Sequence, residues 1–290
     1  MTAALVPLDT GDDRLIDLWA STGGSRTAAT TDAYGRDARQ FLAFVGRPLR
    51  EVNLFDVKDY ADHLKARGLS EATQRRKVAS VKSLLAFGAR SGLLPVNVGA
   101  VVQLKRPRQN INERILTEAE VQRSFNLAPD PRTEAVLRLL YYTGARASEV
   151  AALRWSDITE KDTPTGRKYL ITIQGKGEKE RVVAVPKEKL SSALAVLRDL
   201  HAPTVTGWSR VTIWRAVKSA AERAGLTVDA EGEARHTSPH FYRHSAATHA
   251  IERGALLSDV SRQLGHASIE TTVAFYVHSR PDVGLADYLP

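Results

Sequence analysis

Two short runs of this chain alternate in side-chain character, and they constrain its fold more than any other feature. Lys168 to Gln174 alternates and is rich in β-branched residues, and Arg181 to Val185 alternates again. Between them lies Gly175-Lys176-Gly177, a glycine-flanked turn. Two alternating runs joined by such a turn predict a β-hairpin. Elsewhere the apolar residues recur three and four positions apart, the period of a helix. The expected fold class is therefore mainly α with a small antiparallel β-sheet, an α+β arrangement. A chain of 290 residues is long enough for two domains, each with its own core.

The N-terminal half reads as a helical domain over residues 9–103. Residues 9–22 start acidic and place Leu15, Leu18 and Trp19 at helical spacing. Residues 22–31 are small, polar and glycine-rich, and predict a loop. Tyr34, Ala38, Phe41, Leu42 and Val45 form a second apolar stripe that Pro48 ends. A third helix is expected over 56–67, with Gly68 behind it. Ser70 suits the N-cap of a fourth, over 71–91. That fourth helix carries Arg75, Arg76, Lys77 and Lys82 opposite Val78, Val81, Leu84, Leu85 and Phe87. Its cations form either a solvated face or a face laid on nucleic-acid phosphates. Residues 104–112 are basic and broken by Pro107, which predicts a linker. Lys105, Arg106 and Arg108 in it are either part of a soluble tether or contacts to a nucleic-acid backbone.

The remaining residues, 113–290, form the second expected domain. Thr117 and Glu120 have the spacing of a capping box, and a helix follows. Another helix over 132–143 stops at Gly144, and Ser148 to Leu153 resumes helical spacing. Arg146 therefore sits at a corner between two helices, with Glu149 near enough to orient it. Its planar guanidinium suits a phosphate or carboxylate, although most corner arginines only cap carbonyls. Lys176 at the hairpin tip is either an exposed turn lysine or a cation that reaches into a cleft. Further helices are expected over 190–201 and 208–224, then a polar loop over 230–238. Pro239 suits a first helical position. His240 and Arg243 then share a face, with His244 one turn on. A short helix, 258–264, closes at Gly265 and leaves His266 just beyond it. Ser268 caps a last helix through His278.

Composition removes several function classes. There is no cysteine, so disulfides and thiol–zinc sites are excluded. His240, His244 and His266 lack a glutamate spaced as in His-Glu-x-x-His, and no metal site is expected. No apolar run approaches the roughly 20 residues of a membrane span, and the N-terminus lacks the pattern of a signal peptide. The expectation is a cytoplasmic, nucleoid-associated protein with no membrane partner. A net charge of +8 favours a polyanionic partner.

Together these elements resemble the tyrosine recombinase (phage integrase-like) family. The matching pieces come in the family's order. They are Thr-Gly-Ala-Arg-Ala-Ser-Glu with Arg146, Gly-Lys-Gly with Lys176, His-x-x-Arg with His240 and Arg243, Leu-Gly-His with His266, and a late tyrosine followed by x-His. The resemblance runs from about Glu113 onward and looks most like the Xer and simple-integrase end of the family. Over the N-terminal half it rests on helix pattern and position alone, and there it implies a core-binding domain.

The resemblance implies a site-specific DNA recombinase, a two-domain clamp on double-stranded DNA that acts as a homotetramer. Arg146 and Arg243 would hold the non-bridging phosphate oxygens, supported by Glu149, and His266 would add a hydrogen bond. Tyr276 would attack, His240 would take its proton, and Lys176 would protonate the leaving oxygen. No cofactor is implied, because all the cations are side chains. The tail, 279–290, with Val283, Leu285 and Leu289, either docks on a neighbouring subunit or packs at home. One departure stands out. The family's nucleophile comes nine residues after the Leu-Gly-His histidine, which here is Phe275, while Tyr276 is one later and Tyr288 more distant. The alternatives to a recombinase are a nicking–closing enzyme like the type IB topoisomerases, or a catalytically impaired DNA-binding relic or regulator. Target sequence and accessory proteins leave no mark in the chain.

Overall fold

The computed structural model describes residues 10–22, 28–103, 115–175, 180–229 and 232–265. The chain divides into two compact units, Met1–Gln109 and Asn110–Pro290. The expected linker, 104–112, lies outside the described residues.

Among its described residues the first unit packs four α-helices: α1 (Thr10–Thr22), α2 (Ala28–Val45), α3 (Leu54–Ala66) and α4 (Glu71–Arg90). Each contributes one apolar stripe to a common core. Ile16 and Trp19 come from α1, Phe41 and Leu42 from α2, Val57, Tyr60 and Leu64 from α3, and Val81, Leu84 and Leu85 from α4. Residues 28–31, expected as loop, belong to α2, which begins at Ala28. The start of α3 carries a complete capping box from Asn53 and Asp56. Buried Asp12 accepts a hydrogen bond from the Leu49 N–H at 2.9 Å, which fastens α1 to the turn before α3.

The second unit is built around α6 (Pro131–Thr143). Val136, Leu137, Leu139 and Leu140 on it are fully buried. Burial of each contributes about 1.5–3 kcal/mol. Around it stand α5 (Glu118–Asn126), α7 (Ala147–Ala152), α8 (Lys187–Arg198), α9 (Arg210–Arg223) and α10 (Pro239–Glu252). The last described helix, α11 (Leu257–Leu264), packs on α10. The sheet has three antiparallel strands, β1 (Ile158–Thr163), β2 (Gly166–Gln174) and β3 (Glu180–Pro186), in that order. Its β2–β3 hairpin is where the alternation predicts it. The register pairs Ile171 with Val183 and Ile173 with Arg181. Sequence reading did not find β1, because Ile-Thr-Glu-Lys-Asp-Thr shows no apolar alternation and four of its six residues are exposed. Pairing with β2, not its own pattern, makes it a strand. Among the described residues no helix is long and apolar enough to cross a membrane.

Candidate active site

The corner at Gly144 organises the site. α6 ends there with φ +60°, a left-handed conformation that glycine adopts without strain. A side chain at this position would also press on Leu264, since a Cβ would stand 2.6 Å from its Cδ2. The chain then turns through Ala145 and starts α7 from Arg146 as its N-cap. Glu149, three residues into the turn, accepts from the Arg146 N–H at 2.8 Å and from its Nη1 at 2.9 Å. The glutamate is thus both a helix cap and the brace of the arginine side chain. Arg146 keeps 39% of its side chain exposed, whereas Glu149 keeps 5%.

Arg243 reaches the same corner from the first half of α10. It is 4% exposed and donates Nη1 to the Gly144 carbonyl at 2.6 Å and Nη2 to the Leu264 carbonyl at 2.7 Å. These carbonyls belong to the C-terminal ends of α6 and α11, where helices leave acceptors unpaired and the dipole favours a cation. Burial, and then the nearby charge of Arg146, push the Arg243 pKa down to about 9, against the opposing pull of Glu149. Arg243 therefore stays charged at neutral pH, in a place already rich in positive charge.

A third arginine belongs to the site, and sequence reading missed it. Arg181 on β3 forks both Glu149 oxygens, Nη2 to Oε2 at 2.7 Å and Nη1 to Oε1 at 3.1 Å. Its Nε donates to the Gln263 carbonyl of α11 at 2.7 Å. Burial alone would push the Glu149 carboxyl up. The hydrogen bonds from Arg181, then the Arg146 N–H, and the Arg181 charge outweigh it and hold the group below the usual carboxylate range. The signal was present in the alternation. Arg181, Val183 and Val185 lie on one face of β3, so a charge falls in phase with buried valines.

Arg146, Glu149 and Arg243 are thus brought together from α6–α7 and α10. His240, one turn before Arg243, is exposed, and its ring centroid stands 6.3 Å from that of His244. Lys176, His266 and Tyr276 lie outside the described residues, as do Tyr288 and the tail 279–290. So do Lys105, Arg106 and Arg108.

Cations of the basic face of α4 also make bonds within the first unit. Lys77 is only 14% exposed and pairs with Asp37 of α2 at 2.9 Å, and Arg76 pairs with the same carboxylate. Lys82 donates to the Val102 carbonyl. Asp37 is buried at 3%, and a buried carboxylate requires cations. Lys77 and Lys82 are therefore tied within the first unit. Arg75 is half-buried, and Arg76 is the more exposed of the pair on Asp37.

The family model described as the phage integrase family matches residues 114–282, and the model of the phage integrase N-terminal SAM-like domain matches residues 16–92. A tyrosine recombinase of Thermosipho africanus is 31% identical over 264 residues, covering 86% of this chain and 88% of that protein. Tyrosine recombinase XerD of Bifidobacterium longum is 30% identical over 292 residues, covering 90% of each. Among solved structures, a lambda integrase dimer bound to a core site has a TM-score of 0.74 at 17% identity, covering 94% of this chain and 95% of that one. XerH bound to its difH substrate has a TM-score of 0.68 at 17% identity, covering 91% and 90%. With a family model over more than half its length and relatives of 30% identity or more across most of both chains, this chain belongs to the phage integrase family of tyrosine recombinases.

Proposed function

We propose that this chain is a site-specific recombinase that cleaves and rejoins double-stranded DNA through a 3′-phosphotyrosyl intermediate. The observation that carries this reading is the convergence of Arg146 and Arg243 on the Gly144 corner, with Glu149 as brace. Two guanidinium groups, those of Arg146 and Arg181, bond one carboxylate, and a third, that of Arg243, stands near enough to feel its charge. That surplus of positive charge suits a phosphodiester and suits a five-coordinate phosphorane better, because the phosphorane carries a second negative charge. Interactions that strengthen as charge develops lower the barrier.

In this reading the Tyr276 oxygen attacks phosphorus, and the bond from phosphorus to the 5′ oxygen breaks. His240 takes the tyrosine proton and Lys176 gives one to the leaving oxygen. His266 donates to a phosphate oxygen. The phosphotyrosyl bond keeps the energy of the broken one, so a second 5′-hydroxyl reverses the step without ATP. The N-terminal unit, 9–103, acts as the core-binding domain, with Arg75, Arg76, Lys77, Lys82 and the linker cations Lys105, Arg106 and Arg108 on phosphates. Residues 113–290 form the catalytic domain. A homotetramer on DNA, exchange of the tail 279–290 between subunits, and a place in the nucleoid complete the proposal.

The test uses a library of nicked duplexes with randomised sequence around the nick. A nick next to the cleavage point lets the short 5′-hydroxyl fragment diffuse away and traps the protein on DNA. The expected result is a denaturant-resistant adduct that recovers one duplex sequence from the pool. Tyr276→Phe should abolish the adduct and Phe275→Ala should retain it. An adduct that survives Tyr276→Phe removes that residue as nucleophile, and a wild-type chain that traps nothing overturns the function.

A further inference from the structure

Glu149 creates a problem that the site has to solve. A buried carboxylate beside Arg146 is the natural partner for both ends of its guanidinium, since arginine and carboxylate match in a two-bonded fork. An Arg146 forked onto Glu149 would have little left for a substrate anion. The structure shows a different division. The two-bonded fork on Glu149 belongs to Arg181, which is 9% exposed, while Arg146 gives the carboxylate one side-chain bond and stays 39% exposed.

We propose that Arg181 is a positioning residue for Arg146: by occupying both oxygens of Glu149 it leaves the Arg146 guanidinium free to take an anion. This rests on reading Arg146 and Arg243 as an anion clamp. Arg181 suits the task in two further ways. Its Nε bond to the Gln263 carbonyl ties β3 to the end of α11, one residue before the Leu264 carbonyl that holds Arg243. Gly265 allows this approach, since a Cβ there would stand 3.0 Å from Cδ of Arg181. Arg181 thus fastens the strand that follows the hairpin turn to both halves of the clamp. Among the groups that keep Glu149 ionised, the Arg181 hydrogen bond is the strongest.

The experiment uses sulfate as the probe and the full chain throughout. Melting temperature is followed against sulfate for wild type, Arg181→Met, Arg181→Lys, Glu149→Gln and the Arg181→Met/Glu149→Gln double variant. Wild type should be stabilised by sulfate, since an anion that binds only the folded state raises its melting point. Arg181→Met should raise the half-saturating sulfate concentration about tenfold, as expected for losing one charge-assisted contact. Arg181→Lys should fall between the two, because an ammonium holds one oxygen and not both. The double variant should regain most of the sulfate response, because an amide at 149 still accepts the Arg146 N–H and no longer competes as an anion. A purely structural Arg181 predicts the opposite, with the double variant weaker than either single.

An undiminished response in Arg181→Met, a wild type indifferent to sulfate, or an unrescued double variant each overturns the proposal. Melting points without sulfate report separately whether each variant folds. Adduct formation on the recovered duplex is a second readout, with Arg181→Met expected to lose about 100-fold in rate through misplacement of Arg146. A rescued sulfate response with no wild-type adduct would uphold the positioning role while removing the recombinase reading.

Discussion

Arg243 is the residue whose surroundings explain most about the site. Its two bonds go to carbonyls at the ends of two different helices, and only a planar group with spread donors can hold both. Arg243→Lys keeps the charge and loses that geometry. The expected outcome is a folded chain whose adduct formation slows about 100-fold, the usual loss when one donor to a developing anion is removed. A rate within about twofold of wild type would remove the guanidinium from the clamp. The alternation around the hairpin made Arg181 legible as a charge on a buried face. Its partner was not legible, because Glu149 lies thirty-two positions earlier and the two meet only when β3 packs against α6 and α11.

At the scale of elements, α10 does two jobs. Its first turns carry His240 and Arg243, and its last turns anchor it. His249, 5% exposed, shares a hydrogen bond of 2.8 Å between Nδ1 and the Tyr141 hydroxyl of α6. Burial holds its pKa below the ordinary histidine value, against Glu118 and Glu252, which raise it, and with help from Arg253. The unfolded chain therefore binds this proton more readily than the folded one. Stability should fall as pH drops below about 6.5, where an unfolded histidine begins to charge. Denaturant midpoints measured from pH 8 to pH 5 should show that fall in wild type and a flatter profile in His249→Gln. Helix positions were readable because caps and apolar spacing are local. The strand β1 was not readable, because it owes its state to hydrogen bonds from β2.

At the scale of the molecule, the described residues form two main cores that share no side chain, one around α2–α4 and one around α6. A chain cut between residues 109 and 110 should therefore give two pieces that each unfold cooperatively. Circular dichroism melts of the separate pieces check this, and a piece without a sigmoidal melt would show that its core needs the other. In the first unit, Lys77 pairs with buried Asp37 and Lys82 donates to a backbone carbonyl, partners that lie far off in the sequence.

The sequence by itself determined the helical class, the hairpin, the corner that presents Arg146, and the order of motifs that marks the family. Each is written in short-range spacing, cap chemistry or turn residues, which act over a few positions. Only the tertiary structure decided which cations are free and which are tied, that Arg181 rather than Arg146 holds the fork on Glu149, and that Arg243 hangs between two helix ends. Those outcomes depend on which distant groups share a buried space, where an unpaired charge is costly and each must find a partner.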